Sequence, residues 1–228
     1  MELCVALDLP EKEANLKLAE SLKGHEIWLK VGFRSYIRDG RGFIEAIKTI
    51  DPNFKIFLDL KLYDIPNTMA DAAEEIAKME VEMFNVHASA GKKAMQTVME
   101  RLEKFSDRPL VLAVTALTSF DYHTFKAIYG ADIDEKAEWF ALQSYQAGLD
   151  GVVCSVYESR AVKRQTDPNF LTLTPGIRPF GEAAGDQKRV ADIAKAKEEQ
   201  VDIIVVGRPV YQADDPAAVV EKILARLS

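Results

Sequence analysis

Apolar and polar positions along the chain alternate between two textures. Short runs rich in β-branched and other large apolar residues occur at positions 3–7, 27–31, 54–58, 83–86, 110–114, 152–154, 170–173 and 203–206. Between them apolar residues recur at helical spacing, as at Ala14, Leu18, Ala19 and Leu22, or at Ala70, Ala73, Ile76 and Ala77. Successive runs begin 24, 27, 29, 27, 42, 18 and 33 residues apart, close to the length of a strand plus a crossover helix. Eight such units in 228 residues predict a compact (β/α)8 barrel, a fold that typically needs about 250. A doubly wound open sheet uses the same alternation and is the rival architecture. The long interval after the fifth run holds an extra segment at 120–129, expected to cap the barrel mouth, ahead of a helix expected at 137–147.

No Ser/Gly-rich or low-complexity tract divides the chain, so residues 1–228 read as one domain. One loop stands out. Positions 175–187 carry three glycines after the seventh run, and in a barrel that loop opens on the catalytic face, either as plain solvent-exposed loop or as a mobile lid.

Composition narrows the setting. With 48% apolar and 29% charged residues the chain is globular in character, and 29 Lys and Arg against 36 Asp and Glu give a net charge of −7. No block of basic residues interrupts this acidic balance, which argues against nucleic acid as a partner; an anionic ligand would need locally concentrated positive charge. No stretch approaches the roughly 18 apolar residues of a membrane span, and the amino terminus turns acidic too early for a cleaved signal peptide. Cys4 and Cys154 sit far apart inside apolar runs, without CxxC spacing, and read as reduced core residues of a cytoplasmic protein.

The chemistry is written at the carboxyl ends of the predicted strands, where barrel enzymes assemble their sites. Asp8 ends the first, Lys30 the second, and Asp59 and Lys61 the third, with Asp64 just beyond. Strand alternation puts Asp59 and Lys61 on one side and Leu58 and Leu60 on the other. A structural ion pair would explain one Asp/Lys pair, but four such charges on three adjacent strands are costly to desolvate for stability alone. Lys30 or Lys61 could form a Schiff base, yet neighbouring carboxylates favour the protonated ammonium, which suits a proton donor better. Gly207-Arg208-Pro209 after the eighth run combines close backbone approach, a forked donor and a helix start, as a phosphate site requires. His25, His87 and His123 lack metal-ligand spacing, His87 reads as a hydrogen-bonded structural residue, and Met79, Met83, Met95 and Met99 read as packing.

Asp59-x-Lys61-x-x-Asp64 followed by Ile65-Pro66-Asn67-Thr68 resembles the signature of the orotidine 5′-monophosphate decarboxylase family. Ala6-Leu7-Asp8, Lys30-Val31-Gly32, Val114-Thr115-Ala116-Leu117-Thr118-Ser119, Thr174-Pro175-Gly176-Ile177-Arg178-Pro179, Gly185-Asp186-Gln187-Lys188-Arg189 and Val206-Gly207-Arg208-Pro209 match family motifs in order. The resemblance implies loss of CO2 from orotidine 5′-monophosphate to give UMP, the last step of pyrimidine nucleotide synthesis, without metal or organic cofactor. It implies that Lys61 donates a proton to C6, that Asp59 faces the departing carboxylate, and that Lys30 and Asp64 complete a charge chain. By the same resemblance, Asp64 and Thr68 reach across a homodimer and Asp8 contacts the ribose. Lys30 also belongs to the implied binding set. Thr118 and Ser119 would meet the pyrimidine, Gln187, Gly207 and Arg208 the phosphate, and Arg178 would ride on the lid. Two alternatives stay open: a metal-dependent sugar-phosphate decarboxylase or synthase of the same barrel, in which an acidic metal ligand replaces Lys30, and a nucleotide-binding barrel without catalysis.

Overall fold

A computed structural model describes residues 1–182 and 189–227. Strands β1 (Glu2–Ala6), β2 (Trp28–Gly32), β3 (Lys55–Leu62), β4 (Met83–His87), β5 (Leu110–Val114), β6 (Gly151–Val153), β7 (Leu171–Thr174) and β8 (Ile203–Val206) pair in parallel, each with the next. β1 also pairs with β8, Cys4 opposite Val205, which closes the sheet and decides for the barrel over the open sheet. Helices follow the strands in turn: α1 (Lys12–Ser21), α2 (Phe33–Asp39), α3 (Arg41–Ile50), α4 (Pro66–Ala77), α5 (Lys92–Leu102), α6 (Tyr122–Tyr129), α7 (Ile133–Gln146), α8 (Ser159–Gln165), α9 (Ile193–Glu198), α10 (Arg208–Tyr211) and α11 (Pro216–Leu227).

Strand alternation sorts the core into two shells. Leu3, Val5, Leu29, Ile56, Phe84, Val111, Val152 and Ile204 face outward and pack in the main core, which the helices share. Cys4, Ala6, Trp28, Phe57, Met83, Leu112, Val114, Val153, Leu173, Ile203 and Val205 fill the barrel interior as a separate cluster. Both shells are buried, so each strand is apolar on both faces, which explains why the sequence shows continuous runs rather than alternation. Gly151 lets β6 and β7 approach: a Cβ there would lie 2.3 Å from the carbonyl oxygen of Leu171. Cys4 and Cys154 are buried free thiols, and burial pushes both thiols well up from their usual range. Of the four methionines read as packing, Met83 and Met95 are fully buried, and Met79 and Met99 lie partly buried against the core.

The elements depart from the expected bounds where polar residues continue a strand. β3 runs four residues past the apolar stretch, to Leu62: Asp59 still pairs with Gly32 of β2, and Leu62, beyond a register shift, pairs with Val86 of β4. The segment at 120–129 forms α6, started by the Asp121 carboxylate accepting from the Thr124 N–H and stopped by Gly130 in the left-handed region. Phe125 packs with Ile133 and Ala116, a residue that borders the main cleft, so this segment lies beside the mouth. α7 begins at Ile133, four residues before the expected start.

Candidate active site

The interior residues of each strand lie two apart, and carrying that step beyond the apolar plug leads directly to the site. After Cys4 and Ala6 comes Asp8, after Trp28 comes Lys30, after Phe57 comes Asp59, after Met83 come Asn85 and His87, and after Val205 comes Gly207. Of these, Asp8, Lys30, Asp59 and Gly207 line a cleft of about 470 Å³ at the carboxyl ends of the strands, while Asn85 lies buried behind it.

At the ends of β1, β2 and β3 the charges form a chain. Lys30 Nζ donates to both oxygens of Asp8 at 3.0 and 3.2 Å and lies 3.5 Å from Asp59 Oδ2. Asp59 Oδ1 meets Lys61 Nζ at 2.5 Å. The Lys30 and Asp59 side chains are only 11% and 13% exposed, so the interactions are poorly screened. Burial favours neutral Lys30, but the carboxylates of Asp59 and Asp8 overcome it and hold the ammonium above its ordinary range. Burial likewise opposes ionised Asp59, yet Lys30 and Lys61, with hydrogen bonds from Lys61 and Asn85, hold its carboxyl below the usual range. Gly32 makes room for this packing, since a Cβ there would stand 3.1 Å from Lys30 Nζ and 3.2 Å from Asp8 Oδ1.

Asp59 and Lys61 meet as expected, but not through regular alternation. The β3–β4 register slips between Leu58 and Leu62, and Lys61 adopts φ 48°, a left-handed backbone unusual for a side-chain-bearing residue. Its N–H donates to Asn85 Oδ1 at 2.7 Å, while Asn85 Nδ2 donates to Asp59 Oδ1 at 2.7 Å. Sequence reasoning passed over Asn85. The available signal was a polar amide inside the apolar run of β4, on the same face as His87.

Thr118 and Ser119 after β5, Arg178 after β7, and Gly207 and Arg208 after β8 also line the cleft. Thr118 is buried and Ser119 exposed on the loop after β5. Arg178 is buried, and the loop that carries it is pinned at both ends: the Arg178 N–H donates to Ala191 O, and the Ala191 N–H donates to Gly176 O. Arg189 pairs with the buried Glu158, and its Nη2 lies 3.4 and 3.5 Å from the carbonyls of Ala116 and Leu117, which ties this loop to the one bearing Thr118. Gln187 lies outside the described residues. Among the described residues four cations (Lys30, Lys61, Arg178 and Arg208) line the cleft against two carboxylates (Asp8 and Asp59), a local excess of two positive charges on a chain of net charge −7.

Two expected members stand apart. Asp64 and Thr68 are exposed beyond β3; Asp64 Oδ1 accepts from the Ile65 N–H, and among the described residues Asp64 makes no ion pair. The linked charges therefore run from Asp8 through Lys30 and Asp59 to Lys61, and Asp64 of the same chain does not join them. His87 Nδ1 meets Ser89 Oγ at 2.6 Å and its ring lies against Tyr63, in keeping with a structural histidine. Among the described residues no group of three or more His, Cys, Asp or Glu side chains converges to hold a metal. No helix of the described chain is long and apolar enough to cross a membrane.

Comparisons with known proteins agree with this geometry. The family model described as orotidine 5′-phosphate decarboxylase / HUMPS matches residues 1–223. The chain is 70% identical over its whole length, and the whole of the relative's, to orotidine 5′-phosphate decarboxylase from a Nitratiruptor species. It is 67% identical to the same-named protein from a Sulfurovum species, covering 100% of this chain and 99% of the relative. The crystal structure of orotidine 5′-phosphate decarboxylase from Lactobacillus acidophilus superposes with a TM-score of 0.85 at 32% identity, covering 100% of this chain and 99% of that one. The chain thus belongs to the orotidine 5′-phosphate decarboxylase / HUMPS family.

Proposed function

We propose that the cleft decarboxylates orotidine 5′-monophosphate to UMP and CO2, the closing step of pyrimidine nucleotide synthesis. The observation that carries this reading is the alternating chain Asp8, Lys30, Asp59, Lys61, held half-dry in a cleft that Arg178 and Arg208 also line. Breaking the bond between C6 and its carboxylate leaves an electron pair on C6 with no adjacent electron sink. A fixed ammonium is the group that can meet it, so Lys61 stabilises the developing charge and then transfers an Nζ proton to C6. Asp59, ionised and hydrogen-bonded to Lys61, stands where the carboxylate must leave, and Lys30 keeps Asp59 charged and oriented. No step requires a metal, and the space between Asp8 and Asp59 that a cation could fill is taken by Lys30 Nζ.

The remaining roles follow the positions. Asp8 and Lys30 suit the ribose hydroxyls, Thr118 and Ser119 the pyrimidine edge, and Gly207, Arg208 and Arg178 the phosphate; Gln187, outside the described residues, is assigned to the phosphate by family resemblance alone. Binding energy from the remote phosphate can then be used to assemble the site around the base. Asp64 and Thr68 complete the site of a second subunit in a homodimer. Their exposure supports this, as does the setting: Phe33, Ile37, Tyr63 and Ile65, on the segments after β2 and β3, are 51–79% exposed. The 1–228 chain works as one domain, and two free buried thiols suit a reducing cytoplasm.

The test is a spectrophotometric assay of purified protein with orotidine 5′-monophosphate in excess EDTA. Loss of orotidylate absorbance with stoichiometric UMP is expected. Turnover that appears only on adding Mg2+, or none at all, overturns the reading.

A further inference from the structure

We propose that Asn85 is the positioning residue of the charge chain, setting the geometry of both Asp59 and Lys61 from the neighbouring strand; this rests on the reading of Lys61 as proton donor. Asn85 is fully buried on β4, opposite Leu112 of β5, so its amide has no solvent to satisfy it. Both of its polar atoms are instead spent on β3. Its Oδ1 accepts the Lys61 N–H and its Nδ2 donates to Asp59 Oδ1, each at 2.7 Å. The amide orientation is dictated chemically: turned over, it would set an oxygen against a carboxylate and an NH2 against an N–H.

Each bond controls something different. Because the β3–β4 register slips between Leu58 and Leu62, Asn85 Oδ1 takes the place of a ladder carbonyl for Lys61 and holds that residue at φ 48°. The bond to Asp59 fixes the rotation of the carboxylate. Oδ1 receives Lys61 Nζ and Asn85 Nδ2 together, which leaves Oδ2 toward Lys30. A side chain that both donates and accepts over this span is required. Leucine does neither, and an ionised carboxylate accepts only; a protonated carboxyl does both.

That last property supplies a test which a merely structural role would not satisfy. In Asn85→Asp the introduced carboxyl faces Asp59 and Lys61 from β3, with Lys30 beyond Asp59 and His87 on its own strand; its β5 neighbour Leu112 is apolar. While protonated it can donate to Asp59 and accept from the Lys61 N–H, as Asn85 does. Once ionised it repels Asp59 and pulls Lys61 out of line. Relative to wild type at each pH, which removes the common titration of His87, kcat of Asn85→Asp should be within about threefold at pH 5 and at least tenfold lower at pH 8. Asn85→Leu should lose ten- to a hundredfold in kcat at every pH while its UMP affinity stays within about threefold. Wild-type kcat in both variants, or a pH-independent loss in which kcat and UMP binding fall together, overturns the proposal. If Asn85→Leu does not fold, the pH profile of Asn85→Asp decides alone. Hydrogen exchange at the Lys61 amide gives a readout independent of turnover. Protection in wild type that survives in Asn85→Asp, whose carboxyl accepts the Lys61 N–H in either protonation state, and is lost in Asn85→Leu supports the positioning contact even if wild type fails to turn over orotidylate, whereas equal protection in all three proteins refutes it.

Discussion

At the amino-terminal end of the barrel an acidic residue stands immediately before each of β4, β6 and β8: Glu82, Asp150 and Asp202. Each donates its backbone N–H to a carbonyl near the start of the preceding strand, at Ile56, Val111 and Thr172. Each carboxylate then accepts the N–H of that same residue, at 2.6, 2.8 and 2.8 Å, and a cation (Lys48, Arg108 or Lys163) closes the group. At the carboxyl end Asp8 and Asp59 accept from side chains alone among the described residues, and the cations between them face a cleft. The same residue types therefore serve opposite ends. Where a carboxylate is clamped to backbone it sets strand register, and it cannot move without disturbing the barrel. Where it is held by lysines and an amide, its geometry can be tuned without unfolding anything, which is the condition for placing chemistry there.

The largest expected effect breaks the carboxyl end. Lys61→Ala should lower kcat at least a thousandfold, more than about 4 kcal/mol of transition-state stabilisation, with Tm and UMP affinity little changed. The same variant examines the two-subunit site. Neither Lys61→Ala nor Asp64→Ala alone should turn over appreciably, but at equal expression and random pairing half the dimers are mixed, and each mixed dimer has one intact site. Activity should return to about one quarter of wild type. Retention of a tenth of wild-type kcat by Lys61→Ala removes it as proton donor, and absence of recovery in demonstrated mixed dimers places Asp64 in its own subunit's site.

The amino end should respond in the opposite currency. Asp202 accepts from Lys163 Nζ at 2.8 Å and from both the N–H and the hydroxyl of Thr172, and Lys163 is 8% exposed. Asp202→Ala leaves a buried ammonium with backbone carbonyls but no counter-charge and a strand N–H without its acceptor, at a cost of about 3 kcal/mol. For a chain of this size that lowers Tm by roughly 6–12 °C. With kcat measured well below the new Tm, turnover per folded molecule should match wild type. A kcat change as large as the stability loss would mean that the two ends are coupled.

Much of the carboxyl end was legible because a residue's place along an apolar run fixes its place in a barrel. The eight runs gave the strands, and Asp8, Lys30, Asp59 and Lys61 stood at their ends. The clamps at the other end were equally present in the sequence, one acid before each of β4, β6 and β8, but a lone charge beside an apolar run looks like a solvated loop until the backbone groups it accepts from are known. Asn85 was missed for a related reason. A single amide within an apolar run gives no clue to its partners, which lie on the neighbouring strand 24 and 26 residues away. Nor could alternation show that the Lys61 backbone turns left-handed, since that depends on the register slip against β4.

The smallest effect compares the same backbone conformation at both ends. Glu80, Gly148 and Gln200 each precede an acid of the amino-terminal clamps by two residues, and all three have positive φ, at 57°, 84° and 59°. Lys61 shares that region at the carboxyl end with φ 48°. Glycine at 148 suggests that the amino-end turns need the conformation and not a side chain. Gln200 is exposed, so Gln200→Gly gives up little beyond chain entropy in the unfolded state and relieves the left-handed penalty, a net gain of about 0.5–1 kcal/mol. It should raise the urea midpoint at unchanged m and leave kcat alone. At Lys61 the corresponding comparison is between Lys61→Gly and Lys61→Ala, which lose the same ammonium and differ only in the backbone. The glycine variant should be more stable than the alanine variant by a similar amount, with both inactive. Equal midpoints for that pair would mean that the bond from the Lys61 N–H to Asn85 does not hold the backbone against its preference; a gain at both positions would mean that the fold tolerates one strain for a turn and the other for a proton.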